Sequence, residues 1–324
     1  MKDVEFIEEF QDKSMVTYVP GGCQFNAMRV FNVSQFIHFF LYWMLEKDET
    51  DLVGFVGSVG KDDWGSTYEN LCDEEGIATY FEEIDGMNTG VCLVVCNQRD
   101  RAHITDLGAS TKISEEFINR NMNKFKDAIL IFTELYILRD QKEFSFALAK
   151  LGLDDHKKYG FNLPCTFFLD NFLEDITELV GYADIVFANE YEAAYYCKKL
   201  GLDANRPLKE IIQDLAKIPK KNTNKNRVFV ITDGANPAYV CEYNFKENKV
   251  TYLNSFAVAP LDPKKIVDTN GAGDSFAGGF LSQYMKGKSF AQCMHAGHWA
   301  ASQIIQYRGC VIPDKKYQPE ALVE

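Results

Sequence analysis

Positive charge is in short supply in this sequence: 34 Lys and Arg stand against 47 Asp and Glu, a formal net charge of −13. A surface of that sign repels nucleic-acid phosphates and anionic lipid headgroups, so neither a nucleic acid nor a membrane is an expected partner. Small anions stay open as ligands, because backbone N–H groups and one or two cations suffice to hold a phosphate. Paired cysteines are missing as well. Cys23, Cys72, Cys92, Cys96, Cys165, Cys197, Cys241, Cys293 and Cys310 are scattered, odd in number and free of any C-x-x-C pair. That excludes a disulfide scaffold and a structural zinc site, and the nine are expected to be reduced thiols serving as small apolar residues. No long hydrophobic run occurs: the most apolar stretch, 36–45, is interrupted by His38 and is about half a membrane span. It is expected to be a buried helix. The first ten residues are acidic and carry no apolar leader, which makes a cytoplasmic location the expectation. A Walker A loop, a Rossmann G-x-G-x-x-G opening, internal repeats and low-complexity segments are absent too.

What is present is ample material for a core, 46% hydrophobic and 14% aromatic, arranged as short β-like runs alternating with longer helical ones. That alternation predicts an α/β protein with a mostly parallel central sheet flanked by helices. Helices are expected at 26–45, at 64–75 with Gly76 as stop, at 191–199, at 274–285 and at 290–307, with others between the strands after Ser114. Strands are expected at 51–59, 128–132, near Phe161, 185–188, 228–232, 238–243 and 250–256. Between the first two of these strands the texture changes. Runs at 78–84, 90–97 and 102–107 follow one another with no helix between, predicting a small antiparallel insertion, a β lid over 78–107, while 1–77 and 108–324 form the large unit. The Lys/Asn-rich stretch 219–227 reads as a solvated connection.

The most informative segment is Asp-Thr-Asn-Gly-Ala-Gly-Asp-Ser-Phe, 268–276. Gly271, Ala272 and Gly273 have little side-chain bulk, so their backbone can approach an anion, and the apolar helix that follows aims its free N–H groups at the same place. Asp274, in that helix's first turn, is placed to act as a general base beside an anion hole. The same residues also fit a plain tight turn and an acid that complements the helix dipole.

This segment resembles a signature of the PfkB/ribokinase family of carbohydrate and nucleoside kinases, and its Asn270 together with 296–308 resembles the adenosine kinases within it. Gly21-Gly22-Cys23-Gln24-Phe25-Asn26 is similar to the family's GG-x-x-x-N opening, Asn189-Glu190-Tyr191-Glu192 to its N-x-x-E segment, and Thr232-Asp233-Gly234 to its triphosphate-side turn. The resemblance implies a ribokinase-like fold and ATP-dependent phosphorylation of a nucleoside 5′-hydroxyl, adenosine or a related one, in purine salvage. It implies Asp274 as base, Gly271, Ala272 and Gly273 as anion hole, and Arg101 as a lid arginine on the transferring phosphoryl group. Asn189 and Glu192 would organise Mg²⁺ through water, although the same pair suits a helix N-cap and capping box. Asn189, Thr232, Gly234, Asn270 and His298 would line the ATP, whereas His298 taken alone suits a core histidine. Gly22 and Asn26 would receive the ribose hydroxyls, and Tyr136 would stack on the base. The chain is expected to act as a monomer.

The sequence also departs from the family. No G-N-P-L-L-D-like motif with its ribose-clamping Asp precedes Gly21, His103 and Thr105 replace small or aliphatic lid residues, Glu134 replaces a Gly, and Cys23 a Ser. These departures leave a sugar kinase of the same family, or a nucleotide-binding pseudokinase, as alternatives. The expectation is that the chain binds MgATP but holds adenosine at least about 10-fold more weakly than a version with the clamp strand restored. Calorimetric titration of both with adenosine checks it; equal affinities would assign the clamp to residues such as His103 or Glu134.

Overall fold

The structure, a computed structural model, describes residues 19, 21–35, 53–97 and 100–313. Its elements follow the expected alternation. Helix α1 (Cys23–Gln35) leads to β1 (Gly54–Gly60), α2 (Asp63–Glu74), β2 (Ala78–Ile84), β3 (Val91–Asn97) and β4 (Asp100–Asp106). Then come α3 (Glu115–Asp127), β5 (Leu130–Thr133), α4 (Lys142–Leu151), β6 (Lys158–Asn162), α5 (Thr166–Asn171), α6 (Leu173–Tyr182) and β7 (Ile185–Asn189). The chain continues through α7 (Glu190–Lys199), α8 (Leu208–Ala216), β8 (Arg227–Asp233), β9 (Asn236–Asn244) and β10 (Lys249–Phe256), and closes with α9 (Ala272–Tyr284) and α10 (Phe290–Ile304). The helix expected over 36–45 lies outside the described residues. Among those residues no helix is long and apolar enough to cross a membrane.

The six-stranded sheet has the order β10-β9-β8-β7-β6-β5, with β5 to β8 parallel and β9 and β10 antiparallel. Alternation along its strands divides the core in two. Val186, Ala188, Phe229 and Ile231 face the layer that holds Ile176, Leu179, Tyr196 and Ile212 from α6, α7 and α8. Ile185, Phe187, Val228 and Val230 face the other way, onto Phe276, Phe280 and Met294 from α9 and α10. A strand buried on both faces needs apolar residues at successive positions, which is why β7 reads Ile-Val-Phe-Ala.

Helix α9 is buried from Ser275 through Gln283. Gly278 and Gly279 make that possible: a Cβ at Gly278 would overlap the Ala27 carbonyl of α1, and one at Gly279 the Ala296 carbonyl of α10. The helix is therefore wedged between two others, and its amino terminus is fixed in place.

Three expectations change. The run 78–84 does not join an antiparallel insertion; β2 pairs in parallel with β1, and only β3 and β4 form an antiparallel hairpin. The α2 connection between β1 and β2 supplies the crossover a parallel pair requires. Helix α8 was not anticipated, because its short apolar face, Ile211, Ile212, Leu215 and Ala216, follows a Pro and a polar loop. The stretch 219–227 is only partly a solvated connection: Pro219, Lys221, Thr223 and Asn224 are exposed, but Lys220, Lys225 and Arg227 are buried. Asp184, at the amino-terminal edge of β7, accepts from Lys220 Nζ at 2.8 Å, Lys225 Nζ at 2.8 Å and Tyr159 N at 2.9 Å. Lys225 also donates to the carbonyls of Gly152 and Lys157, and Arg227 donates to those of Val180 and Ile218. Their charges are tolerable inside because each cation donates to several oxygens.

Asp184→Asn leaves two buried ammonium groups without their carboxylate. It is expected to cost about 3–5 kcal/mol of stability, read as a lower midpoint in urea denaturation; a midpoint within experimental scatter of the native one would remove this cluster as a determinant of the fold.

Candidate active site

Ligands of open α/β sheets bind beyond the carboxyl ends of the parallel strands, where side chains and helix amino termini converge. Here those ends are Thr133, Asn162, Asn189 and Asp233. Asn189 is paired across the sheet with Thr232, whose hydroxyl donates to Ala188 O at 3.5 Å. Gly234 follows with φ 53°. Asn189 caps α7: its Oδ1 accepts from Glu192 N at 2.8 Å, and Glu192 Oε2 accepts from Asn189 N at 2.9 Å. The capping reading of this pair is thus realised, and it uses one of the two Glu192 carboxylate oxygens. Burial, with the charges of Glu190 and Asp274 adding to it, pushes the Glu192 carboxyl up to about 7.

Opposite these strand ends stands the amino terminus of α9. Gly271 adopts φ 72°, the left-handed region, and Ser275 N closes the turn onto Gly271 O at 2.8 Å. A Cβ there would sit 3.3 Å from Cys310 Cβ and 3.5 Å from Asn26 Nδ2, so glycine suits the position on both counts. No atom would lie within 4 Å of a Cβ on Gly273, which leaves open space at this turn. The helix begins at Ala272, inside the predicted turn, so Asp274 is in its first turn. Asp274 Oδ2 accepts from Asn26 Nδ2 at 3.1 Å. Asn26 is buried and fixed in α1 by its own N–H to Gly22 O at 2.8 Å, while its Oδ1 has no partner. Gly22 itself has φ 117°.

Asn270 lies beside this turn. Its N–H donates to Asp268 Oδ1, and Gly309 N donates to Asp268 Oδ2, both at 2.9 Å. Asn270 Oδ1 is 3.1 Å from His103 Nε2 on β4, so the β3–β4 hairpin touches the glycine turn. Arg101 is on that same hairpin, its backbone opposite Cys96; its side chain lies outside the described residues. His298 is packed against Phe276, ring centroids 5.3 Å apart, two residues past Asp274 in α9. Its Nε2 is buried without a partner, and burial, reinforced by His295, lowers its pKa to about 4. The imidazole is neutral at physiological pH. Tyr136 lies to the side: its ring meets Phe168 edge-on at 4.7 Å, and its hydroxyl accepts from Cys165 N at 3.2 Å.

Two further groups stand at this edge. Asn162 ends β6 with a buried, unpartnered Oδ1. The signal for it was a polar residue at the carboxyl end of a parallel strand. Glu134, singled out from sequence as a departure and as an alternative clamp, follows β5. Its Oε1 accepts from Leu135 N at 3.0 Å, its Oε2 is buried without a partner, and burial together with the Asp274 charge pushes its carboxyl up to about 8. Among the described residues no cluster of three or more His, Cys, Asp or Glu could hold a metal ion.

A doubly covered sheet with a carboxylate and a glycine turn at one helix amino terminus is the architecture of the ribokinase-like phosphotransferases. The chain matches the pfkB family carbohydrate kinases over residues 3–316 and belongs to that family, whose members phosphorylate alcohol groups. It is 32% identical over 300 residues to an adenosine kinase of Dictyostelium discoideum, spanning 92% of this chain and 82% of that protein. It is 29% identical over 316 residues to adenosine kinase 1 of Arabidopsis thaliana, spanning 97% and 86%. Among solved structures, it superposes with a TM-score of 0.83 on an Anopheles gambiae adenosine kinase in complex with P1,P4-di(adenosine-5) tetraphosphate, at 27% identity over 95% of this chain and 86% of the other. The Schistosoma mansoni adenosine kinase in complex with 2-fluoroadenosine gives 0.83 as well, at 25% identity and 99% and 88% coverage.

The raised Glu192 carboxyl has a consequence for the ligand-free protein. Its folded value, about 7, lies above the ordinary 4.5, so the folded state holds its proton more tightly than the unfolded chain does. The stability it contributes is present below 4.5 and is lost as pH rises through 7. Glu192→Gln keeps the capping geometry and removes that loss. It is expected to raise stability by up to about 3 kcal/mol at pH 8.5 and to change little at pH 4.5; scanning calorimetry without ligand or metal measures both, and a variant no more stable at pH 8.5 than native contradicts it.

Proposed function

We propose that the chain phosphorylates the 5′-hydroxyl of adenosine with ATP as donor, giving AMP and ADP, with Asp274 as the general base. The observation that carries this reading is the Asp274 carboxylate beside the left-handed Gly271 turn, held from the other side by Asn26 at 3.1 Å. A base must be oriented as well as basic, and Asn26 uses one carboxylate oxygen to orient it. Backbone N–H groups of the turn at Gly271, Ala272 and Gly273 would face charge that develops on the transferred phosphoryl group, Ala272 N giving up its 3.3 Å bond to Thr269 O to do so. On the donor side, Asn189, Thr232 and Gly234 at the ends of β7 and β8 hold the triphosphate, and Asn270 and His298 the rest of the nucleotide. The neutral His298, with its unpartnered Nε2, suits a hydrogen bond to an uncharged group.

Mg²⁺ bound with ATP supplies neutralisation of phosphate charge. Glu192 and Asn189 would hold it through water: burial and the charges of Glu190 and Asp274 raise the Glu192 carboxyl, a penalty that a cation would relieve. The segment 78–107 acts as the lid, with His103 on Asn270 bringing the hairpin to the phosphate turn and Arg101 on the same strand. Gly22 and Asn26 receive the ribose. Tyr136 stacks on the base, which requires its ring to present a face away from Phe168. The enzyme works as a cytoplasmic monomer in purine salvage. Relatives and solved structures that are adenosine kinases, two of them with adenosine-containing ligands, support a nucleoside acceptor over a sugar, and the intact Asn26–Asp274 pair supports activity over mere binding.

Asp274→Asn is expected to leave ATP binding largely intact and to lower turnover by roughly 10²–10⁴-fold. ADP release measured with adenosine, inosine, ribose and fructose tests both parts: comparable turnover in the variant removes Asp274 as base, and preference for a sugar removes the nucleoside.

A further inference from the structure

Glu134 is a buried acid that the chemistry above does not use. It follows the last residue of β5, and Gln24 of α1 donates to the carbonyl of that residue, Thr133, at 2.7 Å. This contact fixes the first turn of α1 against the end of the strand. Cys23, which opens α1, is a neighbour of the Glu134 carboxyl, and Asn26 lies three residues further along the same helix. Residues three apart share a helix face. Glu134 and Asn26 thus share the neighbourhood of the Asp274 carboxylate, which bonds Asn26 directly and whose charge acts on Glu134.

Each of the two carries a buried oxygen with no partner, Glu134 Oε2 and Asn26 Oδ1. A buried polar atom left without a partner is costly, and its persistence beside a reactive carboxylate marks a position that a ligand completes. The two orphans differ in character. Asn26 Oδ1 only accepts, its amide nitrogen being committed to Asp274. Glu134, its proton retained at neutral pH by burial and by the charge of Asp274, donates or accepts. An acceptor and a neutral acid flanking one carboxylate match a pair of adjacent hydroxyls, each of which both donates and accepts. An ionised Glu134 would instead repel the charge of Asp274.

We propose that Glu134, together with Asn26, forms a vicinal-diol site in the acceptor pocket, and that Glu134 is a specificity-determining residue selecting a ribonucleoside over its deoxy forms. The proposal rests on the reading of the acceptor as adenosine. It assigns binding of the ribose edge to a side chain that the family motifs do not mark.

The test is kcat/KM for adenosine, 2′-deoxyadenosine and 3′-deoxyadenosine, with the full chain in native, Glu134→Ala and Glu134→Gln forms. Native protein is expected to prefer adenosine about 10-fold or more over each deoxy analogue, a cautious fraction of what a hydrogen-bonding site exacts for a missing hydroxyl. Glu134→Ala should lower the adenosine value by about 10-fold while moving at least one deoxy analogue by less than about 3-fold, which collapses that preference. Glu134→Gln, neutral and able to donate and accept, should restore most of the preference. An alanine variant that weakens all three substrates alike overturns the proposal, and so does a glutamine variant that loses as much preference as alanine. Should the alanine variant fail to fold, the native protein still decides: equal values for adenosine and both deoxy analogues overturn the diol site while leaving adenosine phosphorylation standing. Absence of any turnover of adenosine by the native protein removes the reading itself and the diol site with it.

Discussion

The burial of α9 is the constraint on which the arrangement rests. A helix can aim a reactive carboxylate only if its own position is fixed, and α9 is fixed by backbone contact with α1 and α10 at Gly278 and Gly279. Close approach also accounts for the meeting of Asn26 and Asp274, which are 248 residues apart in the chain. Helix α1 lies near enough for a short amide side chain to reach the carboxylate, because no side chain separates the two helices at Gly278. The reactive turn is thus a consequence of packing well inside the molecule. A larger residue at either glycine would move Asp274 without touching it.

The two edges of the sheet have opposite characters. At the amino-terminal edge, Asp184, Lys220, Lys225 and Arg227 are bonded to one another and to carbonyls around them, with none of their side-chain polar atoms orphaned. At the carboxyl-terminal edge and on the helices that face it, Asn26, Glu134, Asn162 and His298 keep buried polar atoms unpartnered. The contrast has a direct physical meaning. A satisfied network holds strands together, whereas orphaned groups raise the free energy of the empty site and are relieved when a ligand arrives. The sheet joins the two, so that rigidity at one edge positions the unsatisfied groups at the other.

Much of this was legible in the residues. Ile185 to Ala188 announced a strand buried on both faces, and the Asp268 to Asp274 segment announced a helix amino terminus with an acid beside it, because both signals are local. The pairing of the first run in the expected lid, 78–84, was misread for the opposite reason. Alternation identifies 78–84 as a strand but says nothing about its partner, and the partner, β1, lies across a helix. Lys220 and Lys225 were misread because a lysine-rich loop usually faces water, and only the fold reveals the Asp184 carboxylate that draws them in. Glu134 stood out as an unusual residue, but its burial depends on α1 packing against β5, a contact between residues 109 positions apart.

Charge management follows from the same geometry. A protein of formal charge −13 proposed to bind a triphosphate must keep its own carboxylates from opposing the ligand. Three acids crowd the carboxyl-terminal edge, Glu134, Glu192 and Asp274, and the first two have raised carboxyls in which burial is the leading cause and the charge of Asp274 a further one. Mutual repulsion inside a low-dielectric pocket is relieved most cheaply by protonating the most deeply enclosed member. The group so neutralised is Glu134, on the acceptor side, where no cation is called for. Glu192, nearer half-titrated at neutral pH, faces the donor side, where Mg²⁺ is proposed to arrive with the nucleotide and would draw the proton off. In the proposed site, the donor's counter-charge and the acceptor's neutral hydrogen-bonding group thus come from one residue type, differing in how deeply each side chain is enclosed.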